Sequence, residues 1–134
     1  MSENLDLVRS IYADWERGDF RSAEWADPQI DWVMADGPLQ GTWTGVAGMA
    51  LGWREWLSAW KDLRVEVDRY FELDEGRVLV LTRGIARGAA SGIDTGEMRA
   101  ESANLFHIRD GKVTRLVIYW ESRDRALADL GLEG

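Results

Sequence analysis

The chain of 134 residues fits a single domain, expected to span residues 1–134, and is long enough to bury a core of its own. Its 46% hydrophobic and 30% charged residues are those of a soluble globular protein, and a formal net charge of −8 repels nucleic-acid backbones and anionic membrane surfaces, so neither is expected as a partner. With no cysteine, disulfides, thiol nucleophiles and thiolate zinc sites are excluded, while eight tryptophans point to a core or a pocket for a large apolar ligand.

The segment from Met1 to Trp15 carries Glu3, Asp6 and Asp14 among its apolar residues, and no apolar run of membrane-spanning length occurs. Neither a signal peptide nor a membrane span is expected, which leaves the cytoplasm as the expected location. Leu5, Val8, Ile11, Tyr12 and Trp15 recur at spacings of three and four, with acids in the first turn and Gly18 past the end, and predict an amphipathic helix. A short second helix is predicted over Phe20 to Trp25, broken by Asp27-Pro28. From Gln29 the period becomes two, with Ile30, Trp32, Met34 and Asp36 on one side of a strand that ends at Asp36-Gly37-Pro38. After a loop through Gly41, the residues Val46, Met49, Trp53, Trp56 and Trp60 form one apolar stripe and predict a helix from Val46 to Trp60.

Val65, Val67, Phe71 and Leu73 then alternate with charged residues, Asp74-Glu75-Gly76 turns the chain, and Arg77 to Ile85 reads as the returning strand. Gly84 to Gly96 holds four glycines without an apolar period and is read as a turn or mobile loop. Strands on both flanks exclude a phosphate-binding loop, which needs a following helix. Met98 to Ile108 and Val113 to Trp120 form a second hairpin around Asp110-Gly111, and a final helix is predicted from Glu121 to Leu130. Helices gathered before a run of antiparallel strands predict an α+β fold with a curved sheet wrapped around a helix.

Several of these residues occur together in a known family. Val8-Arg9-Ser10-Ile11-Tyr12 with Gly18-Asp19-Phe20, Asp27-Pro28 before a strand, and Arg109-Asp110-Gly111-Lys112-Val113 followed by Arg125-Ala126-Leu127 with Gly131-Leu132 resemble SnoaL-like proteins of the nuclear transport factor 2-like superfamily. The resemblance covers nearly the whole chain. It implies a cone-shaped α+β barrel, its mainly antiparallel sheet wrapped around helices in a cystatin-like topology, that encloses one apolar cavity. Polyketide cyclases, ketosteroid isomerase, scytalone dehydratase, limonene epoxide hydrolase and simple binders share that fold, so the fold leaves the reaction open.

Proton transfer in such a cavity needs an inward base and a donor for the developing oxyanion. The resemblance to ketosteroid isomerase places the base near the end of the first strand, on Met34 or Asp36 according to how the Asp36-Gly37-Pro38 turn is aligned. An aspartate before Gly-Pro is more often a turn former, and that is the stronger reading of Asp36. On the long strand Ser102, Asn104, Phe106 and Ile108 share one face and Ala103, Leu105 and His107 the other. Asn104 falls where the isomerase carries its oxyanion-hole aspartate, and its amide can donate without a raised pKa, or can be a buried asparagine satisfied by its neighbours. Tyr12 is a candidate second donor, although direct counting places Ile11 at that position, and it also suits packing beneath the sheet. His107, the only histidine, faces outward by parity and is read as a surface or dimer-contact residue.

The inward set Leu116, Ile118 and Trp120 joins Trp32, Trp53, Trp56 and Phe106 in an expected aromatic enclosure for a flat, polycyclic or terpenoid molecule; a tryptophan-filled core with little room is the competing reading. Two functions remain open. One is a cofactor-free cyclase, isomerase or dehydratase with Asp36 as base and Asn104 as oxyanion donor; the other is an apolar-ligand carrier, or a bare scaffold if no adequate pocket exists. No metal site and no cofactor are expected. Leu105, His107, Val117 and Tyr119 are expected to leave an exposed apolar patch that a homodimer would cover.

Overall fold

The computed structural model describes residues 3–17, 19, 24–36, 40–58, 60–88, 97–120 and 123–131. The first apolar stripe forms helix α1 (Glu3–Glu16), burying Val8, Ile11, Tyr12 and Trp15 on one face. Glu3 and Asp6 lie in its opening turn, where the helix dipole favours acids. The helix predicted over Phe20 to Trp25 falls mostly outside the described residues, and Glu24 and Trp25 form a turn. Strand β1 (Ala26–Met34) begins directly after it and takes in Pro28. Its register against the last strand shifts between Ala26 and Asp31, a break in the ladder that accommodates a residue with no N–H to donate.

Where a loop was expected, Gly41–Thr44 forms a short strand, β2, antiparallel to β1. Helix α2 (Gly45–Ser58) follows with Met49, Gly52, Trp53 and Trp56 buried. It stops before Trp60, which instead opens β3 (Trp60–Asp74) by pairing with Gly88 of β4 (Arg77–Gly88). A backbone partner across the hairpin thus outweighs the helical spacing of Trp60, and the same ladder carries β4 past Gly84, where a loop was expected. Strands β5 (Glu97–Arg109) and β6 (Lys112–Tyr119) form the second hairpin around Asp110 and Gly111, both at positive φ. Helix α3 (Arg123–Asp129) follows, and Leu130 and Gly131 turn after it.

The six strands run in the order β2-β1-β6-β5-β4-β3, antiparallel except for the β1–β6 pair. This is a curved α+β cone rather than a closed barrel, because β2 and β3 remain as edges. Helices α1 and α2 pack on the inner face with Ile30, Trp32, Met34, Phe106, Leu116 and Trp120. The outer face gathers Leu79, Leu105, Val117 and Tyr119 against Ala126, Leu127 and Leu130. Leu105, Val117 and Tyr119 are therefore buried within the one chain, His107 is half-buried, and the exposed patch expected there is absent. Helix α3 explains the difference, since Ala126 and Leu127 pack on the face the strand pattern alone left open. Among the described residues Leu51 is the exposed large hydrophobic, and no described helix is long and apolar enough to cross a membrane.

Two glycines make room for tryptophans. A Cβ on Gly52 would meet the Trp32 ring at 2.5 Å, and one on Gly84 would meet the Trp120 ring at 2.0 Å. Gly48, one turn earlier in α2, has nothing closer than 3.5 Å. Outside the cone, Arg123 donates to the carbonyls of Thr82 and Ser102 and to the carboxylate of Asp68, which also accepts from Arg83. Asp68 sits where the β3–β4 register shifts between Val67 and Arg69. The hydrogen bond from Arg123, with the charge of Arg83 behind it, holds the Asp68 carboxyl below its usual range.

Substitution of Gly52 by alanine should destabilise the fold by about 1–3 kcal/mol through overpacking against Trp32. Gly48→Ala in the same helix should stabilise by about 0.5–1 kcal/mol through reduced backbone entropy, and urea denaturation of both variants gives the comparison. Because the Asp68 pKa is depressed in the folded state, its contribution is present above the unfolded carboxylate pKa of about 3.9 and is lost as pH falls through the lower folded value. Asp68→Asn should therefore lower stability near neutral pH and flatten its fall below about pH 4, read from denaturation midpoints across that range.

Candidate functional site

The alternation of β1, β5 and β6 decides which side chains enter the cone. Asn104 and Ser102 on β5 and Ile118 on β6 point inward, and Asn104 lies opposite Ile118 and Val80 in the two ladders. Trp120 follows directly after β6 and crosses to Gly84. Together with Trp15 from α1 and Trp53 and Trp56 from α2, these residues wall an inner cavity of about 30 Å³. Leu63 and Val65 of β3 complete the apolar wall, and Thr82, Ser102 and Asn104 supply its polar atoms. A volume of that size has room for about one water, far short of the roughly 300 Å³ at which small-molecule pockets begin. The large enclosure expected from the tryptophan count is thus mostly filled by the tryptophans.

The rings interlock edge to face. Trp56 meets Trp120 at 5.0 Å between centroids, and Trp15 meets Trp53 at 5.2 Å and Tyr12 at 4.9 Å. Trp32 and Phe106, both expected to line the cavity, lie outside its wall. Trp32 is fully buried between Trp43, Trp53 and Gly52, and Phe106 packs on Tyr12 and Trp15. They share the inward parity of the lining residues, but α1 and α2 cover their part of the sheet.

The polar centre joins residues 92 positions apart. Asn104 Nδ2 donates to the Tyr12 hydroxyl at 2.5 Å, with both side chains buried. Burial drives the Tyr12 pKa strongly upward, the Asn104 hydrogen bond opposing it only in part, so the hydroxyl keeps its proton. Asn104 Oδ1 has no hydrogen-bond partner among the described residues. Exchanging the two ends of the amide would let Tyr12 donate to Oδ1 and turn the NH₂ group outward from the pair. In either orientation the pair keeps a hydrogen-bond donor in reserve: the Tyr12 O–H in one, the amide N–H in the other. Ser102 spends its hydroxyl on the carbonyl of Trp120, which fixes the chain where that ring enters the cone.

Asp36 is 9% exposed and continues the inward parity of Ile30, Trp32 and Met34, yet it is not part of the cavity wall. The cavity therefore does not bring Asp36 and Asn104 together. His107 lies on the outer face opposite Arg77 and Arg115, where burial first and those two charges second lower its pKa. Sequence reasoning had not assigned Trp15, Leu63, Val65, Thr82, Ser102 or Gly84 to the site. Gly84 carried a usable signal, because an isolated glycine within a strand marks a close approach. Among the described residues no group of three or more histidine or acidic side chains is arranged to hold a metal ion.

A curved α+β cone with two helices packed on the inner face of its sheet defines the class of fold. The chain belongs to the SnoaL-like domain family, whose match extends over residues 8–116. Among solved structures it is similar to an NTF2-like protein of unknown function from Burkholderia pseudomallei K96243, with a TM-score of 0.79, 18% identity, and coverage of 96% of this chain and 97% of the other. It is also similar to TerC co-crystallised with polyporic acid, with a TM-score of 0.73, 21% identity, and coverage of 96% and 98%. A candidate SnoaL-like polyketide cyclase from Jannaschia sp. CCS1 aligns with a TM-score of 0.72, 15% identity, and coverage of 94% and 90%. At these identities the likeness is one of fold. No curated protein matches the chain.

Removing the Tyr12 hydroxyl should expose the energetic role of the pair. Tyr12→Phe leaves the buried Asn104 amide without its partner and should cost about 1–3 kcal/mol, whereas Tyr12→Phe combined with Asn104→Leu should cost less than the sum of the single changes. Chemical denaturation of the four proteins in the cycle checks this.

Proposed function

We propose that the protein binds a small, flat, apolar carbonyl compound against Trp53, Trp56 and Trp120, with the ligand oxygen held by Asn104 backed by Tyr12. The observation that carries this reading is Asn104 itself: it is 6% exposed, lines a mainly aromatic and aliphatic wall, and has one end of its amide without a partner among the described residues; with the amide turned so that Tyr12 donates to Oδ1, that end is the NH₂ group, the donor a ligand carbonyl needs. Unused polar capacity in a buried site costs about 1–3 kcal/mol, a cost that recognition of a ligand would offset. The inner space must widen for binding, by rotation of tryptophan rings or movement of a strand, because the resting cavity is about 30 Å³. The co-crystallisation of TerC with polyporic acid supports small-molecule binding on this fold.

The cavity wall includes no carboxylate and no histidine among the described residues, which favours a carrier or sensor over proton-transfer catalysis. A cofactor-free isomerase or cyclase is the second reading. It rests on Asp36, buried at the end of β1 on the inner side, as the base for a ligand long enough to reach from Asn104 to that strand end.

Anthraquinone-2-sulfonate, a flat diketone with one charged end, is a suitable probe for tryptophan quenching. Saturable quenching is expected, with Asn104→Leu weakening affinity by about tenfold, the equivalent of one hydrogen bond. Asp36→Asn should leave affinity within about threefold, since a base contributes to turnover rather than to uniform binding. Absence of saturable quenching by this probe and by smaller and larger planar ketones would leave the chain a scaffold.

A further inference from the structure

Building on the ligand-binding reading, the structure also bears on how a molecule reaches Asn104 and what shape it must have. Between the C-terminal end of α1 and the start of β3 lies an open groove of about 620 Å³. Glu16, Arg17, Arg64 and Glu66 border it with charges of both signs. Trp15, Leu63 and Val65 border it as well, and the same three side chains line the inner cavity. A wall one side chain thick therefore separates the space beside Asn104 from solvent.

The three wall residues are not equally held. Trp15 is buried and packs against Tyr12, Trp25, Trp53 and Phe106, so it is a fixed post. Leu63 and Val65 are only half-buried and lie on β3, an edge strand of the sheet. The β3–β4 register shifts between Lys61 and Arg64, so Leu63 falls inside the irregularity and Val65 just beyond it. An irregular ladder on an edge has fewer backbone hydrogen bonds to break when the strand moves outward. Joining cavity and groove also resolves the shortage of space, because a planar polycyclic ligand needs on the order of 300 Å³.

We propose that Leu63 and Val65 are the gate and the specificity-determining residues of the site. A bound molecule holds them apart, with its ring system against Trp53, Trp56 and Trp120, one oxygen on Asn104, and a polar end in the groove among Glu16, Arg17, Arg64 and Glu66. The site thereby selects elongated planar amphiphiles, which can keep one end solvated, over wholly apolar discs that would have to be enclosed in a space already filled.

Stopped-flow quenching with anthraquinone-2-sulfonate tests the gate by separating association from dissociation. Association limited by a conformational opening should be at least about fivefold faster in Leu63→Ala and at least about tenfold slower in Leu63→Trp. Asn104→Leu should instead raise the dissociation rate and leave association within about twofold. A residue that only packs would lower the melting temperature without moving the two association rates in opposite directions. Near-UV circular dichroism verifies that each variant is folded, and Val65→Ala with Val65→Phe provides the same pair of tests should Leu63→Trp fail to fold. Probe binding with association rates within about twofold of wild type in both directions overturns the gate while leaving the ligand-binding reading in place. No binding by wild type or Leu63→Ala overturns both.

Discussion

The architecture depends on two close approaches in which a tryptophan ring lies where a Cβ would otherwise be. Trp120 sits on Gly84 and Trp32 on Gly52, each closer than any side chain would permit. The first contact pulls the end of the sheet across the cone onto β4, and the second seats α2 on β1. Interiors pack at crystal-like density, so once these rings are in place the remaining inner volume is determined by what they leave. What they leave is the small space bordered by Thr82, Ser102 and Asn104. Glycine weakens a helix or strand by about 0.5–1 kcal/mol relative to alanine. Burial of a large aromatic surface at the same place more than offsets that cost.

Polar groups within this aromatic interior are few and specifically arranged. Ser102 is tied to the backbone of Trp120, and the carbonyls of Ser102 and Thr82 are held from outside by Arg123. Both strands behind the cavity are thereby braced to the start of α3. Tyr12 and Asn104 are joined by a hydrogen bond while one end of the amide has no partner among the described residues, an arrangement that braces the floor of the cavity. The β3 side differs, for there the wall is an edge strand with an irregular ladder.

Relatives with TM-scores of 0.72 to 0.79 share 15% to 21% identity with the chain. Such divergence is compatible with a common cone because the fold requires only alternation on the strands, two apolar helices inside and suitable turns. Chemistry requires particular atoms at particular distances, and it changes when a single inward position changes. The inward position 104 of β5 carries an asparagine, a neutral side chain with both a donor and an acceptor end.

The sequence by itself determined the α+β class, the extents of α1 and of the β5–β6 hairpin, the turn of the β3–β4 hairpin, and the inward or outward side of nearly every residue on β1, β5 and β6. These follow from local periodicity and from turn residues such as Asp110-Gly111, which act over a few positions. Asn104 was legible as an inward polar residue for the same reason. Which aromatics meet the cavity was not, since Trp32 and Phe106 have the correct parity and are removed from the wall only because helices distant in sequence cover them. The fate of Trp60 and of Gly84 to Gly88 was likewise decided by pairing across a hairpin, where a ladder partner overrides helical spacing or loop composition. The cover that α3 lays over Leu105, Val117 and Tyr119, the contact of Tyr12 with Asn104 and the thinness of the wall at Leu63 all join segments far apart in the chain. Such contacts depend on how whole elements pack, and only the tertiary structure decides that.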